Sequence, residues 1–281
     1  MSTARERLQQ ALAELGVAAK KSLGQNFLVS DIVIERIIDQ VKEFKPEALI
    51  EVGPGPGALT YFLRQMNLPL QLIELDQVIA NYWREQGLPV LEEDALQLDW
   101  QRFYSGDGLT AGKKIVFVSN LPYQISSSIV IERSLENSGV QHMVLMFQKE
   151  VAQRIRAVAR DEHYGLLSVI AQTFWTITTV TDASARDFSP PPKVQSRVLG
   201  FTRKEAPVQN RKAFLTLVKS SFAQRRKLLK KNLSGLLQQK KLTEEQLISW
   251  LAEMGFKETA RAEELSPVQF VQLYKKFGWE S

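Results

Sequence analysis

The chain has no cysteine among its 281 residues and only two histidines, His142 and His163. Without thiols there is no disulfide, no thiolate zinc site and no cysteine nucleophile. Two histidines are too few for a histidine metal cluster; a carboxylate magnesium site stays open on this ground, but metal-free chemistry is favoured. Long apolar runs are also missing, since nothing approaches the roughly 18 consecutive apolar residues of a membrane span. The N-terminus MSTARERLQQALAELG lacks the apolar core and small-residue cleavage site of a signal peptide. A soluble, cytoplasmic protein without membrane attachment is expected.

Charge is present in both signs but unevenly placed. The net charge is +5 overall; from Phe201 to Ser281 there are sixteen Lys and Arg against eight Asp and Glu, a net of +8, which leaves −3 for the first 200 residues. Such asymmetry fits one catalytic domain and one surface for a polyanion.

The hydrophobic period divides the chain. Ala4 to Leu15 and Asp31 to Lys42 carry helical spacing, with Gly16 placed to close the first helix and Ser30 to cap the second. Then ALIEVG, LQLIELD, PVLEED, KKIVFVS and HMVLMFQ read as short strands separated by helical stretches, among them GALTYFLRQM and ISSSIVIERSLEN. Strands alternating with helices predict a doubly wound α/β domain with a mostly parallel sheet. TITTVTD and SRVLGFTRK, joined by a proline-broken loop, predict an antiparallel hairpin at its end. From Pro207 the pattern is wholly helical, with a capping box at Thr243 and Gln246 and a helix start at Ser266–Pro267. The expected division is a catalytic domain over residues 1–205 and a small helical domain over 206–281.

EVGPGPG, Glu51 to Gly57, ends the first sheet strand and leads into a helix. Glycine there lets a ligand approach the backbone. The pattern suits a nucleoside methyl donor, but Gly53, Gly55 and Ala58 also satisfy a dinucleotide fingerprint, and a simple tight turn is a third reading. Glu74 ends the next strand, where a carboxylate can accept hydrogen bonds from both ribose hydroxyls. Asp94, in the EED that ends the third, stands where an adenine amine could be accepted. Solvated loop carboxylates are the bland alternative, weakened because three strand ends agree.

KKIVFVS runs directly into NLPYQIS. An exocyclic adenine amine is a poor nucleophile until its hydrogens are held so that the lone pair is freed. The side-chain oxygen of Asn120 and the carbonyl of Leu121 could hold those two hydrogens, Pro122 would fix the turn, and Tyr123 offers a stacking face. Ordinary loop punctuation is the alternative for the tetrapeptide alone.

LGQNFL at Leu23 to Leu28, EVGPGPGALT, IELD, NLPYQIS, QKEVAQRI, FSPPPKVQSRV and SFAQRRKLLKKNL together make the chain resemble the ribosomal RNA adenine dimethyltransferases, small-subunit type, over essentially its whole length. The resemblance implies a Rossmann-like methyltransferase sheet and S-adenosyl-L-methionine as cofactor. It further implies transfer to N6 of two adjacent adenosines in the 3′-terminal hairpin loop of small-subunit rRNA, within a pre-ribosomal particle. It assigns Asn26, Leu28, Gly53, Gly55, Glu74, Asp94 and Asn120 to the cofactor, and Phe188 to the target base opposite Tyr123. Gln124 and Gln195 depart from the family pattern, which usually has Asn and Asp there.

QRRKLLKKNL, Gln224 to Leu233, reads as a basic helix. Arg226 and Lys230 would share one face and Lys227 and Lys231 the next, beside Arg225, with Leu229 and Leu233 inward. It is either a phosphate stripe or a solvated face. Lys20 and Lys21 could add a second contact; Trp175 and Trp250 read as core. A related large-subunit adenine methyltransferase of the antibiotic-resistance type, and a non-catalytic RNA-binding assembly factor, are the competing functions. A monomer is expected.

Overall fold

A computed structural model describes residues 2–16, 26–103, 110–136, 139–205 and 207–279. The chain forms two compact units. The first comprises Met1–Arg133, Asn137–Ala152 and Ile177–Arg203, the second Ser134–Glu136, Gln153–Thr176 and Lys204–Ser281.

In the first unit, helix α1 spans Ala4–Leu15, opened by a capping box between Thr3 and Glu6 and closed by Gly16 at φ +62°. Helix α2, Asp31–Glu43, turns Ile34, Ile37, Ile38 and Val41 into the core. Ser30 makes no side-chain cap, contrary to the expectation from its position. Instead Asp31, in the first turn, accepts from Ala4 N–H and from Arg7 at 2.8 Å, which suits the positive end of the helix dipole.

Seven strands form one sheet: β1 Ala48–Val52, β2 Leu70–Ile73, β3 Val90–Leu91, β4 Ile115–Asn120, β5 Val140–Gln148, β6 Trp175–Ala183 and β7 Ser196–Arg203, in the order β3-β2-β1-β4-β5-β7-β6. The pairs among β1 to β5 are parallel, while β7 runs antiparallel to β5, from His142 opposite Thr202 to Gln148 opposite Ser196. β1 is buried at every position, as a central parallel strand covered on both faces must be. The last strand in sequence is not the edge: β7 inserts between β5 and β6, and the edge strand β6 exposes much of its length.

The connections are shorter than the sequence period suggests. After β1 only Thr60–Leu63 is α-helical (α3), followed by a 3₁₀ turn at Arg64–Met66. Helix α4 covers Gln77–Glu85, and α5, Tyr123–Leu135, starts at the residue after Pro122. Phe27–Leu28 and Phe188–Ser189 form a separate two-stranded antiparallel ladder.

The chain leaves β5 through α6, Lys149–Arg156, and the second unit holds α7 Leu166–Phe174, α8 Arg211–Ser221, α9 Leu229–Asn232, α10 Ser234–Gln239, α11 Glu244–Glu253 and α12 Pro267–Lys276. α7 is buried almost all round, and its Phe174 meets Phe214 of α8 edge-on at 6.0 Å. This packing explains why residues 153–176 belong with the C-terminal helices. Both C-terminal capping boxes form, at Thr243–Gln246 and Ser266–Gln269. Trp175 is buried, and the Trp250 ring lies 5.8 Å from that of Phe277. Among the described residues no helix is long and apolar enough to cross a membrane.

Candidate active site

The sheet order reverses direction of growth at β1, with β2 on one side and β4 on the other, and at such a switch point a crevice lies outside the carboxyl ends of the strands. A cavity of about 400 Å³ occupies it. Its walls include Asn26, Leu28, Gly53, Gly55, Glu74, Asp94, Asn120, Leu121, Pro122 and Tyr123.

The glycine loop shapes one wall. Gly53 and Gly55 have φ of +66° and +52°, where an L side chain would be strained. Gly57 is required for a different reason: at φ +93° an added Cβ would lie 2.6 Å from the Trp83 ring. That indole in turn donates Nε1–H to the Gly55 carbonyl at 2.9 Å and braces the loop from beneath. The third glycine therefore serves packing and the first two face the cavity.

Glu74 Oε1 accepts from the N–H groups of Leu75 and Asp76 at 2.8 and 2.9 Å, and Oε2 has one long contact from Gly55 N–H at 3.4 Å. Burial raises its pKa, against the opposing effect of those amides. Asp94 Oδ1 accepts from Leu96 N–H at 2.9 Å. Two carboxylates at adjacent strand ends supply acceptors for a diol and an amine.

Opposite, Asn120 Nδ2 donates to the Asn26 carbonyl at 3.3 Å. A carbonyl can only accept, so the amide nitrogen is committed there and Oδ1 is the atom left for an external donor. After it, Ile125 N–H bonds the Pro122 carbonyl, and Pro122 packs 3.8 Å from where a Gly53 Cβ would stand. The half-buried Tyr123 ring closes this side, its hydroxyl 2.9 Å from Ser196 Oγ and its pKa raised by burial.

Two features differ from expectation. Phe188 is only 3 % exposed and does not line the cavity; the ladder pairing it with Leu28 turns its ring into the core with Ala183 and Val198. Conversely, Glu51 lines the cavity and the sequence pattern assigned it no role. It is fully buried, accepts from Thr60 Oγ1 at 2.7 Å, and desolvation pushes its pKa up to about 8. A lone carboxyl inside an otherwise apolar strand was the available signal.

The basic segment, described within the second unit, is not a helix over 224–233. α8 ends at Ser221, and only Leu229–Asn232 returns to α-helix. The Asn232 side chain donates to the carbonyls of Ser221 and Gln224, and Leu229 N–H bonds the Ala260 carbonyl, so the backbone is satisfied outside a helix. Leu229 and Leu233 are buried as the period predicts. Several cations are already paired: Arg225 with Glu263 at 2.9 Å, Lys230 with Glu258 and Glu244 at 3.0 and 3.1 Å, Lys231 with Glu244 at 3.2 Å. Arg226 and Lys227 are exposed. Lys20 and Lys21 lie outside the described residues, and among those described no cluster of three or more His, Asp or Glu could hold a metal ion.

A model of the family described as ribosomal RNA adenine dimethylase matches residues 16–277. The ribosomal RNA small subunit methyltransferase A of Bdellovibrio bacteriovorus is 73% identical over 280 residues, covering 100% of both chains. That of Staphylococcus haemolyticus is 33% identical over 96% of this chain and 94% of its own. Among solved structures, a dimethyladenosine transferase from Plasmodium falciparum shares the fold with a TM-score of 0.72 at 24% identity, over 90% of this chain and 98% of its own. The 23S rRNA methyltransferase ErmE does so at 0.63 and 23%, over 90% and 100%.

Proposed function

Since the chain belongs to the ribosomal RNA adenine dimethylase family, we propose that it methylates N6 of two adjacent adenosines in the 3′-terminal hairpin loop of small-subunit rRNA, using S-adenosyl-L-methionine. The observation that carries this reading is convergence: the acceptor left on Asn120 and the Tyr123 ring border the same cavity as Glu74 and Asp94. A hydride-transferring dinucleotide enzyme would have no use for an amine-orienting turn at the fourth strand.

The donor fits the residues present. Glu74 would accept the ribose hydroxyls and Asp94 the adenine amine, while Gly53 and Gly55 leave room that a Cβ would fill, with Phe27 only 3.6 Å from that position at Gly55. Asn26 and Leu28 form the wall nearest Asn120. When bound, the donor supplies a methyl group already activated on a sulfonium sulfur. The protein's part is then alignment and exclusion of water. Asn120 Oδ1 and the Leu121 carbonyl would each accept one N6 hydrogen, Pro122 fixes the turn between them, and the Tyr123 face would hold the flipped base. Phe188 contributes from beneath, by holding the Leu28 segment through their ladder pair.

The basic segment supplies phosphate contacts, carried chiefly by Arg226 and Lys227 because Arg225, Lys230 and Lys231 are engaged by carboxylates. The partner is rRNA in a pre-ribosomal small subunit, met in the cytoplasm by a monomer. Purified protein and labelled donor, incubated with separate unmethylated small and large subunits, test this. Label is expected in adenosines of the small-subunit rRNA; label in large-subunit rRNA alone overturns the proposal.

A further inference from the structure

The Tyr123 hydroxyl has a partner that the proposed chemistry does not use. Stacking needs the ring face, yet the hydroxyl lies 2.9 Å from Oγ of Ser196, which is fully buried at the first position of β7. Ser196 is itself held on three sides. It stands opposite Gln148 in the β5–β7 ladder. The preceding Gln195 receives the Lys149 N–H on its carbonyl at 2.8 Å and Lys149 Nζ on its side-chain oxygen at 2.8 Å. The following Arg197 grips Asp182 through two bonds of 2.5 and 2.9 Å. The tyrosine ring is therefore tethered at its far end to a rigid strand start.

We infer that Ser196 is a positioning residue acting through Tyr123, and that its hold matters most at the second of the two methyl transfers. This rests on the proposed function. In each transfer the N6 lone pair forms the bond to the methyl carbon, the carbon–sulfur bond breaks with its electron pair left on sulfur, and one N6 proton passes to solvent water. Unmethylated adenine presents two N6 hydrogens to two acceptors, Asn120 Oδ1 and the Leu121 carbonyl. The monomethylated base has one hydrogen left, so one acceptor has nothing to hold. Alignment in the second step then depends more on the stacking plane, and that plane is set by the Tyr123–Ser196 bond.

The test is single-turnover transfer to unmethylated small subunits at saturating donor, with products digested and resolved into mono- and dimethyladenosine. Ser196→Ala, Tyr123→Phe and the double variant are compared with wild type, with thermal melts and donor affinity as controls. In each variant the second-step rate constant should fall about fivefold and the first by about twofold or less, the scale of one lost neutral hydrogen bond. Monomethyladenosine should accumulate, and the double variant should lose no more than either single one. Tyr123→Phe leaves β7 untouched, so it reports on the bond even if Ser196→Ala folds poorly. Equal losses in both steps, or additive losses in the double variant, overturn the role of Ser196. A wild type that dimethylates adenine with an unchanged product ratio in both variants does the same. A wild type that leaves adenine N6 unmethylated overturns the proposed function itself.

Discussion

Glu51→Gln isolates the most perturbed carboxyl of the cavity. Glu51 is desolvated, its closest stabilising contact is one hydroxyl, from Thr60, and the nearby charge of Glu74 pushes in the same direction as burial. Its pKa rises from an ordinary 4.5 to about 8 on folding. The folded protein thus keeps a proton that the unfolded chain gives up above pH 4.5, and stability falls as pH rises through this window, flattening beyond about 8. Each pH unit inside the window is worth up to about 1.4 kcal/mol, so the span of 3.5 units, 8 minus 4.5, amounts to about 5 kcal/mol. Glutamine keeps the shape and has no proton to lose. Urea unfolding of wild type and variant at intervals from about pH 5 to 9 therefore reports on this residue and its coupling to Glu74, since the titrations of uncoupled groups cancel in the difference. The wild-type protein should lose stability relative to Glu51→Gln across the window, by roughly 2–3 kcal/mol between pH 5 and 7. Parallel profiles would refute the assignment. A cationic donor in the same cavity favours the ionised carboxylate, so donor affinity should rise with pH more steeply in wild type than in the variant, where Glu74 still titrates.

Asn120→Ala removes the orienting acceptor, and single-turnover methyl transfer should drop about a hundredfold or more, the scale of losing one preorganised partner; a near wild-type rate would contradict the role given to Oδ1. Glu74→Ala and Asp94→Ala should each weaken donor binding by about 1–3 kcal/mol in calorimetry, and unchanged affinity in both would remove the donor from this cavity. Replacing Arg226 and Lys227 with Gln should reduce the slope of log affinity for rRNA against log salt by about 1.8, or roughly 0.9 per phosphate contact. Lys230→Gln, which breaks an internal ion-pair cluster, should change it far less, and an equal effect would mean that the carboxylates around Lys230 do not hold it back from RNA.

The α/β alternation and the strand-end residues were legible because apolar strands and their terminal Gly, Glu, Asp and Asn lie together in the chain. Gly53, Glu74, Asp94 and Asn120 meet at one crevice for that reason. The basic run was misleading because Arg226/Lys230 and Leu229/Leu233 keep a helical period, while the backbone finds partners at Asn232 and Ala260 that no local pattern reveals. The family resemblance implies a place for Phe188 at the target base, but the pairing of residue 188 with residue 28 decides where its ring goes. Nothing local marks Ser196, whose partner is 73 positions away. What escaped was in each case set by contacts distant in sequence.

The small ladder between Phe27–Leu28 and Phe188–Ser189 also fixes when the site can exist. Its two strands, paired at Leu28 and Phe188, stand far apart in the chain, so the first is made long before its partner. Until then the wall that bears on Asn120 has no partner strand to hold it, and closing so long a loop is entropically unfavourable without the folded sheet in place. A growing polypeptide is therefore expected to lack a finished pocket until Phe188–Ser189 has been made. An enzyme that modifies the ribosome's own RNA would in this way be silent until the later strand of that ladder has left the ribosome making it.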